Sequence, residues 1–252
     1  MTIPRTIFQT WKSKTDFPSK WAYWSQTARD VNPGYEYVLF DDAENRDFIA
    51  ENWPWFLERY DSFPAEIYRA DAVRYFYMFK NGGYYLDMDV EALRPFDEMK
   101  VREGVVLGGM GVDPLFEHSI PNAIMASAPG EEFWLLCIAL MSEVPISRPE
   151  YTTGPVILKA AHDLYTKSYD GEDVQSRLAV LRERMGETSK SLITLMPGHV
   201  FFPLDWNDPF HDTFRRELRD ADQLLSRDDA LAMFPHSTTV TYWSHSWEPE
   251  QK

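Results

Sequence analysis

The stretch that most limits what this chain can fold into runs from Ala65 to Phe96. Its first part, AEIYRADAVRYFYMFK, is rich in helix formers and free of glycine and proline, which predicts a helix. Asn81-Gly82-Gly83 ends that helix, because glycine takes the left-handed backbone a helix C-terminus uses, and Lys80 suits the negative end of the dipole. Beyond the turn, Tyr84, Leu86, Met88 and Val90 alternate with Tyr85, Asp87, Asp89 and Glu91. A period of two predicts a strand with Asp87 and Asp89 on one face, Tyr85 beside them and the apolar set opposite.

Two carboxylates that close repel unless a cation lies between them. Oxygen-only ligands at a strand end suit a hard divalent ion, Mg2+ or Mn2+, which keeps water and shares phosphate oxygens. On the preceding helix, Asp71 and Arg74 are three apart and share a face, and the Gly-Gly turn folds that face back toward the strand. An acid, a guanidinium and a metal-binding pair then converge. A solvated acidic strand edge beside an ordinary Asp–Arg helix pair meets the same spacing, since a short Asp-x-Asp is common by chance.

The block RADAVRYFYMFKNGGYYLDMDV resembles the signature of the DXD glycosyltransferases related to fungal Golgi mannosyltransferases and bacterial capsular polysaccharide sugar transferases. It is more distantly similar to the glucosylating domain of the large clostridial toxins. The shared pattern is Ala-x-Asp-x-x-Arg-Tyr, a Gly-Gly turn, then Tyr-Leu-Asp-x-Asp, and each part stands in this sequence. The resemblance implies an α/β fold of GT-A (Rossmann-like) type, a mixed and mostly parallel sheet flanked by helices. It also implies a UDP- or GDP-sugar donor, a saccharide or glycolipid acceptor, and hexosyl transfer with retention of configuration in surface polysaccharide or glycan synthesis. By the same resemblance, Asp89 would bind the metal directly. Asp87 would hold the ribose and water on the metal, with Tyr85 beside it in the nucleotide pocket, and Asp71 and Arg74 would hold sugar hydroxyls. No enzymic nucleophile is evident, so the expected mechanism is a front-side displacement in which the leaving phosphate helps deprotonate the acceptor.

Other segments extend the resemblance. IPRTIFQTW predicts a first strand and is similar to the family's opening Ile-Pro-Lys-x-Ile-His-Gln-x-Trp, with Phe8 in place of the histidine. Any histidine role is lost there, while Gln9, Thr10 and Trp11 remain expected nucleotide contacts, Trp11 offering a stacking face. Tyr35–Phe40 predicts a buried strand and Asp41-Asp42 a helix cap. Trp53, Trp55 and Phe56 form an aromatic cluster that reads as core or as an acceptor platform. Gly104–Met110 and Ile120–Ala128 predict strands; Asn122, comparable to an Asn in relatives, would face the sugar or satisfy backbone at the strand start. Thr153 is the expected cap of the helix after Thr-Gly-Pro. Tyr169–Lys190 is charged and weakly periodic, which suggests a mobile excursion, and Leu192–Phe202 reads as strand, turn, strand. Thr213–Phe234 reads as a solvated helical cover. Finally, TTVTYWSHSW is similar to the family's closing His-His-Trp-x-x-Ser-Trp, with Thr241 and Tyr242 at the histidine positions. Ser246 and Trp247 are therefore expected to belong to a lid over the donor diphosphate, with His245 as a further phosphate or metal contact.

No internal repeat or linker divides the sequence, so a single domain over 1–252 is expected. The net charge of −15 disfavours nucleic acid and anionic membrane surfaces as non-specific partners. An anionic donor would then need local help from a metal and Arg74. Cys137 is the only cysteine, which rules out an internal disulfide and fits a reducing compartment. Its apolar run, FWLLCIALM, falls far short of the ~20 residues that span a bilayer. MTIPRTIFQTW lacks the apolar core of a signal peptide, so the expectation is a cytoplasmic protein without a transmembrane segment, open to peripheral membrane contact. Two other functions compete. One is a non-catalytic nucleotide-sugar or carbohydrate-binding module that kept the pocket. The other is a DxD metal-dependent phosphohydrolase, which wants its motif on the first strand followed by Gly and Thr or Val; here Val90-Glu91-Ala92 follows.

Overall fold

The computed structural model describes residues 1–244. In chain order it contains β1 (Thr6–Thr10), α1 (Ser19–Val31), β2 (Glu36–Phe40), α2 (Asp42–Asn52), α3 (Pro54–Asp61), α4 (Glu66–Lys80), β3 (Gly83–Leu86) and β4 (Val90–Ala92). Then come β5 (Val105–Gly108), β6 (Ile124–Ser127), α5 (Phe133–Glu143), α6 (Pro149–Thr152), α7 (Pro155–Ser168) and α8 (Glu172–Met185). The chain continues through β7 (Ile193–Met196), α9 (Gly198–Phe201), α10 (Pro209–Asp220), α11 (Arg227–Met233) and β8 (Thr239–Thr241).

Six strands form one sheet in the order β2-β1-β3-β6-β5-β7, and β6 alone runs against the others. This is the mixed, mostly parallel sheet flanked by helices that the resemblance implied. Alternation along the strands sends side chains into two cores. Phe8 and Tyr85 join α4 and α5 on one face, while Ile7, Tyr84 and Leu86 pack on the other with Ala28 of α1. Phe8 is buried and stacks on Tyr77. The turn from α4 into β3 needs its glycines. Gly82 has φ +64°, and a Cβ there would stand 2.5 Å from the Ser127 carbonyl; one on Gly83 would stand 2.6 Å from that of Thr6. β3 is thereby wedged between its two neighbours, directly beneath the site.

Several expectations need correcting. The strand ends at Leu86, and Asp87 to Asp89 form a turn in which the Val90 N–H donates to the Asp87 carbonyl at 3.2 Å. The period-two face therefore stops short of the acidic pair, and the chain leaves the main sheet to pair β4 with β8. Edge strand β2 is only partly covered rather than buried. Tyr169–Lys190 is no excursion: α8 docks Val174, Leu178 and Leu181 into the core. After β7, residues 198–201 form a helical turn instead of a second strand. Gly154, not Thr153, caps α7, and the Thr153 hydroxyl is buried without a partner. Thr213–Phe234 holds two helix segments, and Arg215 of the first is buried. Asp41 does cap α2, in a reciprocal capping box with Glu44. Trp53 and Phe56 lie in the core, with Trp55 packed against it. Among the described residues no helix is long and apolar enough to cross a membrane.

Candidate active site

Helix α4 carries Asp71 and Arg74 on its inner face, where 5% and 3% of their surfaces remain exposed. An arginine so enclosed must have every direction of its guanidinium occupied. Here it pairs with Asp71 Oδ1 at 2.9 Å and Asp87 Oδ1 at 3.2 Å, and donates to the Asn122 carbonyl at 2.8 Å. Its plane lies 4.4 Å from the centre of the Tyr85 ring. Asn122 donates from Nδ2 to Asp71 Oδ1 at 3.0 Å, so the carboxylate of Asp71 is fixed from two sides. Burial works against the Arg74 charge, but Asp87, Tyr85 and Asp71 together hold it firmly cationic. Burial also lifts the Asp71 carboxyl above its ordinary range, against the pull of Arg74.

Backbone and buried polar groups hold the turn after β3. The Asp87 N–H donates to the Ala123 carbonyl at 2.8 Å, and Gln9 Nε2 donates to the Asp87 carbonyl at 3.2 Å. The Gln9 side-chain oxygen accepts from Ser25 at 2.6 Å and Tyr37 at 2.9 Å. Gln9 thus supports the turn from beneath and does not line the cavity. The Tyr85 hydroxyl donates to Asp87 Oδ1 at 2.7 Å. Burial pushes the Asp87 carboxyl up to about 7, opposed by Arg74 and reinforced by the neighbouring Asp89.

Asp89 is held differently. Its Oδ2 accepts both the backbone N–H and the hydroxyl of Ser244, each at 2.7 Å. The residues before Ser244 are built into the protein. Tyr242 stacks on Trp24 and donates to Glu91 at 2.7 Å, and Trp243, at φ 49°, donates to the Leu204 carbonyl at 2.8 Å. Arg215 donates to the Tyr242 and Trp243 carbonyls at 3.2 and 3.0 Å. Tyr242 and Trp243 are thus docked by contacts within the protein, whereas His245, Ser246 and Trp247 lie outside the described residues.

Thr10, Trp11, Asp71, Arg74, Tyr85, Asp87, Asp89 and Asn122 all line one cavity of about 570 Å³. Trp11 meets Trp21 edge to face, 4.4 Å between centroids, and its indole N–H is spent on the Asp16 carbonyl. Trp21, His118, Glu150, Trp206 and Ser244 share the lining, and sequence spacing did not single them out as site residues. Glu150 had one faint signal, its place just ahead of Thr-Gly-Pro. Ser25 and Tyr37, which hold Gln9, had none.

Among the described residues no three His, Cys, Asp or Glu side chains are grouped to hold a metal by themselves. Asp87 and Asp89 supply a partial set of hard oxygen donors at the cavity wall. That suits Mg2+ or Mn2+, which complete their shells with water and phosphate oxygens. Burial first and the neighbouring Asp89 second raise the Asp87 carboxyl, and a cation held by the two would oppose both.

Residues 18–106 match the family model described as "Glycosyltransferase sugar-binding region containing DXD motif". A glycosyltransferase of Acanthamoeba polyphaga mimivirus is 32% identical over 176 residues, covering 68% of this chain and 69% of that protein. The chain belongs to this family of DXD-containing glycosyltransferases. Inositol phosphoceramide mannosyltransferase 3 of Schizosaccharomyces pombe is 35% identical over 217 residues, or 84% of this chain and 56% of that protein. Inositol phosphoceramide mannosyltransferase 2 of the same yeast is 33% identical over 177 residues, 66% of this chain and 48% of the relative. The chain thus spans about half the length of these two mannosyltransferases. Among solved structures, the PaToxG glycosyltransferase superposes with a TM-score of 0.48 at 16% identity, covering 76% of this chain and 81% of that one. Those values are modest, and family membership rests on the sequence matches.

Proposed function

We propose that this DXD family member is a metal-dependent, retaining glycosyltransferase that moves a hexose from a UDP- or GDP-sugar to a saccharide or glycolipid acceptor. One observation carries the reading: an Asp71–Arg74–Asn122 cluster buried in the same cavity that Asp87 and Asp89 line. The first cluster offers fixed donors and acceptors for sugar hydroxyls, and the second offers anionic oxygens for a cation and its diphosphate. A bound divalent ion, held by Asp89 and Asp87, would supply charge neutralisation of the leaving diphosphate.

The protein's own groups do the rest. Arg74, pinned by three partners, keeps Asp71 oriented toward the sugar, so little reorganisation remains when the anomeric carbon is positioned. Thr10 and Trp11 border the nucleotide end, with Gln9 fixing the Asp87 turn behind them. No side chain assigned here acts as a covalent nucleophile, which favours front-side attack by the acceptor with the departing phosphate taking its proton. The mannosyltransferase relatives favour a mannose donor and a lipid-linked acceptor among the possibilities.

Thermal unfolding with UDP or GDP, each with and without Mn2+, tests the reading. A ligand bound only to the native state stabilises by mass action, about 2.7 kcal/mol at a hundred times its Kd. The expected result is a shift with one nucleotide that needs the metal. Binding of neither nucleotide, with or without metal, sinks it. A shift with no transfer from any nucleotide sugar would favour a binding module instead.

A further inference from the structure

Beyond Asp71, Asp87 and Asp89, the cavity wall holds Asp42, Glu66, which is paired with Arg69, and Glu150, whose place against Asp71 sets it apart. It sits on α6, the single helical turn just ahead of the Thr-Gly-Pro segment, and its Oε2 is buried with no hydrogen-bond partner. A buried carboxylate oxygen without a donor is costly, and native proteins keep such atoms where something else supplies the donor. Glu150 is also brought close to the sugar cluster by a backbone feature. A Cβ on Gly154 would stand 2.8 Å from the Glu150 Cα and 3.0 Å from Asp71 Oδ2, so the missing side chain lets α6 close onto Asp71. The Gly154 carbonyl accepts from Tyr75 at 3.1 Å, which locks that approach. Arg74, the cation of that cluster, is already engaged by Asp71, Asp87 and Asn122. Glu150 in turn contributes to the lifted state of the Asp71 carboxyl, as a neighbouring anion should.

We propose that Glu150 accepts a hydrogen bond from a hydroxyl of the donor sugar and so takes part in selecting that sugar. The inference rests on the glycosyltransferase reading above. Pairing two carboxylates, Asp71 and Glu150, across Gly154 would read two hydroxyls of one ring. It would also disfavour a sugar that carries a carboxylate at that position, because a third anion would meet two carboxylates beside a single guanidinium, Arg74, that Asp71 and Asp87 already share.

The test uses the full chain with Mn2+, and Glu150→Ala beside Glu150→Gln. Affinities are measured for the bare nucleoside diphosphate and for UDP-glucose, UDP-galactose and GDP-mannose. The wild type should bind its own nucleotide sugar more tightly than the bare nucleotide. In Glu150→Ala that advantage should shrink by about tenfold to a hundredfold, the usual loss for a buried charged hydrogen bond. Affinity for the bare nucleotide and ligand-free melting temperature should stay near wild type. Glu150→Gln keeps an acceptor oxygen and should lose less. A sugar advantage unchanged in Glu150→Ala, or a loss confined to acceptor KM, overturns the inference alone. Equal loss of bare nucleotide affinity overturns it too, by making Glu150 a structural residue. A wild type that binds no nucleotide brings down both the glycosyltransferase reading and this one.

Discussion

Asp89 and Arg74 share a site but answer to different forces. Asp89 is half-buried at the cavity wall, where Ser244 donates to it, and its charge works against that of the neighbouring Asp87. Asp89→Asn should therefore melt near wild type, yet lose the metal-dependent shift with nucleotide and about a hundredfold or more of transfer activity. Near-normal transfer at saturating Mn2+ would remove Asp89 as the ligand. Arg74→Ala is a different experiment, because it strands Asp71 and Asp87 beside each other. Breaking one side of a buried ion pair costs roughly 3–5 kcal/mol, so a loss of activity there says little about chemistry. The contrast follows how legible each residue was. Asp71, Arg74, Asp87 and Asp89 lie within one helix-turn-strand unit, where spacing predicts convergence. Glu150 and Ser244 reach the same cavity from segments 61 or more residues away, and no local pattern announces them.

At the level of elements, local signals carried the fold well where backbone chemistry was at stake. The α4 stop, the Asp41 cap and the order of helices and strands around them follow from glycine, acid and periodicity. The pattern misled where side-chain alternation outlasted the strand, at Asp87 to Asp89. It also misled in α8, whose apolar positions Val174, Leu178 and Leu181 keep helical spacing but are outnumbered by charged neighbours. α8 is anchored by Glu132, at the start of α5, which accepts from Tyr165 at 2.8 Å, Tyr169 at 2.6 Å and Arg182 at 2.6 Å. Burial pushes the Glu132 carboxyl up, but these hydrogen bonds outweigh it and leave it below its ordinary value. A folded-state pKa below the unfolded one adds stability above the unfolded value, and that stability is lost as pH falls through the folded one. Glu132→Gln should cost about 1.5–3 kcal/mol near neutral pH. The gap in melting temperature between the two proteins should close as the pH drops below the carboxylate range of about 4. A gap that stays constant from neutral to acid pH would show that the charge of Glu132 contributes nothing.

Across the whole molecule, β8 is the unexpected member. It pairs Thr241 with Val90 and Thr239 with Ala92, so the segment after the acidic turn is held by the far end of the chain. Val240 and Tyr242 are fully or almost fully buried. Truncation after Thr238 should therefore cost more than the roughly 3–5 kcal/mol of one deleted buried aromatic, and broaden or abolish cooperative unfolding. Truncation after Ser244 keeps every described element and should melt near wild type without ligand. If instead the first truncation were harmless, Tyr242 and Trp243 would be a detachable cover rather than part of the core. The sequence pattern placed Trp243 in a closing segment but could not tell packing from closure, since an aromatic residue serves either.

The β4–β8 pairing also has a consequence in time. Asp89 and Ser244 are 155 residues apart, so a growing chain makes one long before the other. At the usual ~5–20 residues per second of synthesis, the acidic turn waits on the order of ten to thirty seconds for its partner. Until then β4 has an open edge and Asp89 has no backbone donor. The sheet and α4 can form early from nearby strands, but the cavity wall at Asp89 is finished only when β8 and Ser244 arrive. A ribosome-bound intermediate would be folded in its centre with that wall of the cavity still open.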